Sequence, residues 1–202
     1  MRVLHVLAQL PAKTGSGVYF TNVIEGLESF NHEQAALYGT SPEHNFNILD
    51  TVYEVEFEGK DLDFPIVGMS DIMPYNNTLY KDMTEEMVNS WEKAFREKLL
   101  KAKEEFNPDV VITHHLWILS SIVCEIFNDK KIIGVCHNTD IRQAEKNPVM
   151  KEKYVLNLGK LDKILALSSG QIDEIAEEFN YPKENIINLG AGYNEKVFFP
   201  LK

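Results

Sequence analysis

A short glycine loop near the amino terminus contains the first residues whose types and spacing suit chemistry. Gly15, Ser16 and Gly17 follow an apolar run of strand length and precede apolar residues at helical spacing, so they join a strand to a helix. Glycine lets a backbone approach a ligand closely, and the free N–H groups at the start of a helix face anions such as phosphate. The loop therefore predicts contact with a phosphate or a sugar. The alternative is a tight turn that needs glycine for steric reasons alone.

A dinucleotide site in this loop is disfavoured. The dinucleotide fingerprint needs a small residue three positions after Gly17 and an acid at the end of the second strand. Position 20 is Phe20, and the candidate second strand, 34–38, ends at a tyrosine that is followed by glycine. The sequence therefore argues against an NAD site and leaves a loop that holds a phosphate or approaches a sugar.

Polar side chains follow two apolar runs in the second half of the chain, at 110–113 and 132–136. They are His114 and His115 after the first run, and His137, Asn138 and Asp140 after the second. In a parallel sheet, ligands bind at the carboxyl ends of the strands. We therefore expect these side chains and the glycine loop to meet at one edge of a sheet, where they form a ligand site.

Two other chemistries are weighed against this site and disfavoured. Three histidines with Asp140 suggest a metal centre, but their spacing matches no known ligand pattern. Cys136 beside His137 suggests a cysteine nucleophile, but neighbouring residues on a strand point to opposite faces and cannot form the required hydrogen bond. The other cysteine, Cys124, lies in an apolar segment and is expected in the core. Two cysteines are also too few for a disulfide framework.

The elements needed to hold such a site are those of an α/β fold. Buried strands that alternate with helices predict a Rossmann-like parallel β-sheet with helices on both faces. The predicted strands lie at 3–8, 34–38, 53–58, 64–67, 110–113, 132–136, 163–167 and within 181–189. The first predicted helix follows the glycine loop, and the second lies at 79–106. A third ends at 126, a fourth lies at 148–158, and a fifth follows a Ser168–Gln171 capping box.

Three segments carry more specific predictions. Residues 53–58 alternate between apolar residues and glutamate, which predicts a strand with one solvated face near the edge of the sheet. The long helix at 79–106 has a second half rich in lysine but interleaved with glutamate, so we expect paired charges on a solvated face, or else weak contact with a membrane surface. The loop at 68–78 is too apolar for a solvated linker, so it either folds over the site or packs on the core.

Composition excludes several classes of function. The chain has 202 residues, of which 44% are hydrophobic, which is enough for a real core. Its net charge of −11 is spread along the chain and argues against nucleic acid as a partner, because a nucleic-acid binder needs a basic stripe. No apolar stretch of membrane-spanning length and no signal-peptide pattern occur, so we expect a cytoplasmic protein that is at most peripheral at the inner membrane face.

Taken in order along the chain, these features resemble the amino-terminal half of a retaining glycosyltransferase of the GT-B fold, in the family 4 group. The motifs that carry the resemblance are the glycine loop at 15–17, the segment 108–115, the segment 136–140, the segment 166–169, and the closing stretch 183–200 with its Phe-Phe-Pro. The closing stretch is similar to the linker between the two domains of the family and is the most specific of the set.

The resemblance implies a role for eight residues. They are Gly15, Ser16 and Gly17 against the phosphates and sugar of the donor, His137 as the catalytic residue beside the donor sugar, and His114, His115, Asn138 and Asp140 on the acceptor side. It implies no metal bound by a protein motif and no covalently bound cofactor. The co-substrate would be a nucleotide diphosphate sugar, with UDP and GDP as the expected nucleotides.

The resemblance also implies a division of the protein into domains. Residues 1–188 would form the acceptor-side domain and 189–202 the start of the linker, with the nucleotide-binding domain outside this chain. The expected partners are that carboxyl-terminal domain and a hydroxyl acceptor, either a sugar or a lipid-linked or small molecule. The expected reaction is sugar transfer with retention, and the isolated domain is expected to be inactive. Two alternatives remain: a sugar epimerase of the same fold, and a non-catalytic half-domain that pairs with a separate catalytic subunit.

Overall fold

A single parallel sheet organises the computed structural model, which describes residues 1–193. Its strands are β1 (Arg2–Leu7), β2 (Glu33–Thr40), β3 (Val52–Glu56), β6 (Val110–His114), β7 (Lys131–Cys136), β8 (Lys163–Ala166) and β9 (Ile186–Asn188). The order across the sheet is β3-β2-β1-β6-β7-β8-β9, and every pairing is parallel. The order reverses between β1 and β6, so the crevice expected of such folds lies at their carboxyl ends.

Helices pack on both faces of this sheet, as the sequence predicts. They are α1 (Gly15–Glu28), α2 (Glu85–Glu105), α3 (Ile118–Ile126), α4 (Thr139–Lys146), α5 (Pro148–Tyr154) and α6 (Gln171–Glu178). On one face, Phe20 and Ile24 of α1 pack against Leu7, Ala36 and Tyr38 of the first two strands. A larger apolar cluster that includes α2 and α3 covers the other face. The fold class predicted from the sequence is confirmed.

The edge strand is also confirmed. β3 lies at one end of the sheet, with Tyr53 and Val55 buried and the intervening Glu54 partly exposed. By contrast, the strand predicted at 64–67 is displaced. Proline has no N–H to donate to a ladder, so pairing begins after Pro65. The strand is β4 (Val67–Gly68), and it pairs with β5 (Thr78–Leu79) in a separate two-stranded sheet.

The long helix begins six residues later than its apolar spacing predicts. Thr84 has extended backbone angles and accepts a hydrogen bond from the N–H of Met87 at 3.2 Å, which makes it the N-cap of α2. The preceding residues, Tyr80–Asp82, form a 3₁₀ turn instead of helix. A threonine before two glutamates is the stronger signal, because it satisfies an N–H group that the helix leaves without an acceptor.

Two further predictions are corrected around the later helices, and one helix is added. α5 ends at Tyr154 and not at Leu158, and α4, which precedes it, was not predicted. The capping box at Ser168 does not form. Gln171 is instead the first residue of α6, and its Oε1 accepts the N–H of Leu167 at 2.8 Å. Cys124 is fully buried, as expected. The end of the predicted linker, 194–202, lies outside the described residues.

Candidate functional site

A cleft of about 500 Å³ lies at the carboxyl ends of the central strands. Its lining combines polar groups from the glycine loop and the end of β7 with apolar groups from residues 69–74. The lining residues are Gln9, Thr14, Gly15, Ser16, Tyr19, Met69, Ser70, Ile72, Met73, Pro74, His137, Thr139, Leu167 and Ala191. The cleft therefore has the polar and apolar walls typical of a small-molecule site.

The glycine loop forms the start of α1. Thr14 is the N-cap, and its Oγ1 accepts the N–H of Gly17 at 3.0 Å. Gly15 and Ser16 are the first two residues of the helix, so their N–H groups have no acceptor within it and are available to an anion. Ser16 Oγ is held by Nε2 of Gln9 at 2.7 Å. The predicted phosphate-holding geometry is therefore present at the cleft wall.

The two glycines of the loop have different reasons to be glycine. A Cβ on Gly15 would meet no atom within 4 Å, so that position is open towards the cleft. A Cβ on Gly17 would lie 2.6 Å from the carbonyl oxygen of Leu10 and 2.7 Å from the nitrogen of Ala12. Close approach to a ligand therefore fits Gly15, whereas Gly17 is required by the packing of its own loop.

His137 is the histidine that lines the cleft. Its Nε2 lies 3.1 Å from Nδ1 of His114, and the ring of Tyr19 packs edge-on against it with centroids 5.4 Å apart. Its Nδ1 makes no hydrogen bond with the described residues and is not among their fully buried unpaired atoms. Burial, with a smaller effect of His115, lowers the pKa of His137 to about 3. The imidazole is therefore neutral at neutral pH.

A buried hydrogen bond between His115 and Asp140 supports the turn that carries His137. Nδ1 of His115 donates to Oδ1 of Asp140 at 2.7 Å, and Oδ2 of Asp140 accepts the backbone N–H of His137. Asn138 has a positive φ of 63°, and the N–H of Thr139 bonds to the carbonyl of His137 at 2.7 Å, which closes a γ-turn. Burial opposes ionisation of Asp140, but the contacts with His115 and His137 bring its pKa below its usual value.

Of the eight residues singled out in the sequence, three line the cleft: Gly15, Ser16 and His137. The other five are close by but do not line it. His114, His115 and Asp140 are buried beneath His137, Gly17 is buried in the loop, and Asn138 forms the γ-turn. The acceptor-side role given to four of these residues stays a prediction.

Two glutamines that the sequence reasoning did not single out hold the opposite wall. Oε1 of Gln9 accepts the N–H of Met69 at 3.4 Å, and Nε2 of Gln143 donates to the carbonyl of Met69 at 2.9 Å. Both side chains are buried. Gln9 could have been found as the first polar residue after β1, but nothing in the sequence around Gln143 predicts a partner 74 positions away. The apolar loop at 68–78 thus packs on the core through Met69 and faces the cleft through Ile72 and Met73.

A second cavity of about 660 Å³ runs along α1. It lies between one side of that helix and residues 189–193, and it shares Tyr19 and Ala191 with the cleft.

The sequence also raises a metal centre and a cysteine nucleophile. Residues 1–193 contain no group of three or more side chains able to hold a metal ion. Burial strongly raises the pKa of the Cys136 thiol, which makes it inert.

A family model described as Glycosyltransferase Family 4 matches residues 80–191, which is more than half of the chain. The chain belongs to this family. The resemblance drawn from the glycine loop and the strand ends is therefore confirmed. A search of curated protein sequences found no match.

Solved structures confirm the fold of this family 4 chain. Sucrose-phosphate synthase from Thermosynechococcus elongatus matches with a TM-score of 0.66 and 12% identity, over 100% of this chain and 51% of that one. The apo form of the lipopolysaccharide outer core galactosyltransferase WaaB matches with a TM-score of 0.57 and 13% identity, over 94% and 45%. UDP-GlcNAc 2-epimerase from Neisseria meningitidis, bound to UDP-GlcNAc, matches with a TM-score of 0.57 and 12% identity, over 93% and 46%.

This family 4 chain therefore spans about half the length of the structures that it matches. At these identities the matches establish the Rossmann-like fold and nothing finer. Within residues 1–193, no helix is both long and apolar enough to cross a membrane.

Proposed function

We propose that this chain is the acceptor-side half of an enzyme that transfers a sugar from a nucleotide diphosphate donor to a hydroxyl acceptor, with retention of configuration. The proposal rests on the groups that line one cleft together. Gly15 and Ser16, with their unpaired N–H groups at the start of α1, and the ring of His137 line the same space of about 500 Å³. The first suits the phosphates of a donor and the second suits its sugar.

The chemistry follows from electrostatics. When the bond to the diphosphate breaks, negative charge develops on the leaving oxygen and positive charge at the anomeric carbon of the sugar. The N–H groups of Gly15 and Ser16, at the positive end of the helix dipole, stabilise the leaving group. His137 is neutral because its pKa is about 3, so it orients the sugar without repelling the positive charge.

The proposal includes a division of labour. Because this chain spans about half of its structural relatives, we propose that the other half of the full protein binds the nucleotide. The donor would be a UDP- or GDP-sugar, and the acceptor a sugar or a lipid-linked or small molecule. The polar and apolar walls of the cleft suit either class of acceptor. The partner of residues 1–202 would then be the protein's own carboxyl-terminal domain, and the site would lie in the cytoplasm.

The test is sugar transfer by the full-length protein, assayed with UDP- and GDP-sugars against a panel of hydroxyl acceptors. His137→Ala removes the imidazole ring and is expected to lower kcat at least about 100-fold. His32→Ala is the matched control, because His32 lies just before β2, at the amino ends of the strands and away from the cleft. It is expected to leave kcat unchanged. Equal activity of the two variants would rule out the role given to His137.

A second candidate function is sugar epimerisation. The specific observation in its favour is the match to UDP-GlcNAc 2-epimerase, with the same TM-score as the galactosyltransferase. The two functions differ in what they need. An epimerase converts a nucleotide sugar to its epimer without an acceptor, whereas a transferase releases nucleotide diphosphate and a glycoside only when an acceptor is present. Chromatography of the nucleotide sugars after incubation without acceptor separates the two.

A further inference from the structure

Three buried histidines around the cleft each leave one ring nitrogen without a partner. The unpaired atoms are Nδ1 of His5, Nε2 of His114 and Nε2 of His115. A neutral imidazole carries one N–H donor and one bare acceptor nitrogen. A buried N–H without a partner is costlier and rarer than a buried acceptor without one. The proton of each ring therefore belongs on its paired nitrogen.

Two of the three rings allow this rule to be checked against their partners. Nε2 of His5 lies 2.9 Å from Oε1 of Gln34, whose amide orientation is set by a bond from its Nε2 to the carbonyl of Ile24. Nδ1 of His115 lies 2.7 Å from the carboxylate of Asp140. Both partners can only accept, so both paired nitrogens carry the proton. The rule therefore assigns the same state to His114, with its proton on Nδ1.

The contact of His114 with His137 has the geometry of a hydrogen bond in the ring planes. The two planes are inclined by only 19°, and the centroids are 5.3 Å apart while Nδ1 of His114 and Nε2 of His137 are 3.1 Å apart. The rings therefore meet at their nitrogen-bearing edges. With the proton on His114 Nδ1, His114 donates and His137 Nε2 accepts.

We propose that His114 is a positioning residue that fixes the tautomer of His137. Because Nε2 of His137 accepts from His114, its single proton lies on Nδ1, the ring nitrogen without a partner among the described residues. The cleft then presents a hydrogen-bond donor to its ligand and not a base. The group it recognises is an oxygen acceptor, such as a sugar hydroxyl or a phosphate oxygen. This last step rests on the proposed function, whereas the tautomer itself does not.

The rings of His114 and His137 are both neutral at neutral pH. Burial first, and then the neighbouring His137, His5 and His115, hold the pKa of His114 well below its usual value. The rings of Phe20 and Tyr19 pack against His114 with centroids 5.1 and 6.0 Å from its own, and its Nε2 has no hydrogen-bond partner. No competing contact therefore draws the proton away from Nδ1.

The direct test is a proton–nitrogen correlation spectrum of the nitrogen-15-labelled chain at pH 7, which distinguishes N–H from bare ring nitrogens. The His137 signals are assigned by their loss in His137→Ala. The expected result is a protonated Nδ1 and a bare Nε2. A protonated Nε2, or a doubly protonated ring, in the unmodified chain would overturn the proposal without any variant having to fold.

Substitutions at His114 test the cause. His114→Asn places an amide N–H near the position of the native Nδ1 and is expected to keep the tautomer of His137. His114→Leu fills the space without a donor and is expected to shift the His137 proton towards its Nε2. His5→Leu is the control, since His5 is equally buried but does not contact His137. An unchanged His137 tautomer in His114→Leu would refute the role of His114.

Activity of the full-length protein is a separate readout. If the proposed transfer occurs, His114→Leu is expected to lower kcat at least tenfold, with recovery in His114→Asn. If no transfer is found with any nucleotide sugar, the spectrum still decides the tautomer. Failure of the proposed function and failure of this inference are therefore distinguishable.

Discussion

A single methyl group at Gly17 would collide with three backbone atoms. They belong to Leu10 and Ala12, and all lie within 2.8 Å of the position of the added carbon. Backbone cannot give way as a side-chain end can, so Gly17→Ala is expected to destabilise the fold by about 1–3 kcal/mol. Gly26→Ala is the matched control in the same helix, where the added carbon meets nothing within 4 Å. There, a gain of about 0.5–1 kcal/mol is expected. Urea unfolding of both variants measures the difference, and equal stability would contradict the packing role.

Buried neutral histidines make the stability of the fold depend on pH. Burial lowers the pKa of His5 to about 4, against an unfolded value of 6.5. Between these values the unfolded chain binds a proton that the folded chain does not, so stability is complete above pH 6.5 and falls as the pH drops towards 4. Each such group contributes a slope of up to about 1.4 kcal/mol per pH unit. His114 and His137 act in the same direction.

The measurement is urea unfolding at pH 7.5 and pH 5.5. His5→Gln keeps a donor towards Oε1 of Gln34 but cannot titrate, so its loss of stability between the two pH values is expected to be smaller by about 1 kcal/mol. A loss equal to that of the unmodified chain would mean that His5 is not held neutral.

At the residue level, the sequence predicts the parts of the site that follow strands. His137 comes directly after a buried parallel strand, Gly15 ends the loop that follows another, and the carboxyl ends of such strands share one edge. The roles of His114 and Gly17 were beyond sequence reasoning. The sequence predicts that His114 lines a ligand site, because it is polar and follows a strand. In the fold it is buried beneath His137. Depth within a layer is a property of packing, which spacing does not encode.

At the level of elements, residues 69–75 depend on buried hydrogen bonds more than on surface charge. Gln143 is buried and donates to the carbonyl of Met69, whereas Lys146 pairs with Asp71 at the surface. Removing a buried partner costs about 1–3 kcal/mol, while an exposed ion pair is worth about 0–1 kcal/mol. Gln143→Leu is therefore expected to speed amide hydrogen exchange through 69–75, and Lys146→Ala to leave it nearly unchanged. The opposite order would show that the surface pair holds the segment.

The elements themselves are predictable to different degrees, for physical reasons. The central strands are recoverable because both faces of the sheet are covered and their residues are continuously apolar. The start of α2 is misplaced because apolar spacing continues through Tyr80 and Met83, although Thr84 caps the helix one turn later. α4 is missed because its apolar residues are few and it begins at the strained turn of Asn138. A cap or a turn overrides periodicity wherever it satisfies backbone N–H groups that periodicity ignores.

On the scale of the whole molecule, the proposed division of labour predicts how donor binding is shared. The described half offers the sugar-side groups Gly15, Ser16 and His137, and no residue of its cleft is a cation able to pair with a diphosphate. Most of the affinity for the nucleotide is therefore expected from the remainder of the full protein. Residues 1–202 alone should bind a UDP- or GDP-sugar at least about tenfold more weakly than the full protein, a difference of about 1.4 kcal/mol. Titration calorimetry on the two proteins measures it. Equal affinity would mean that the nucleotide site lies within residues 1–202, and the second cavity along α1 would then be the place to look for it.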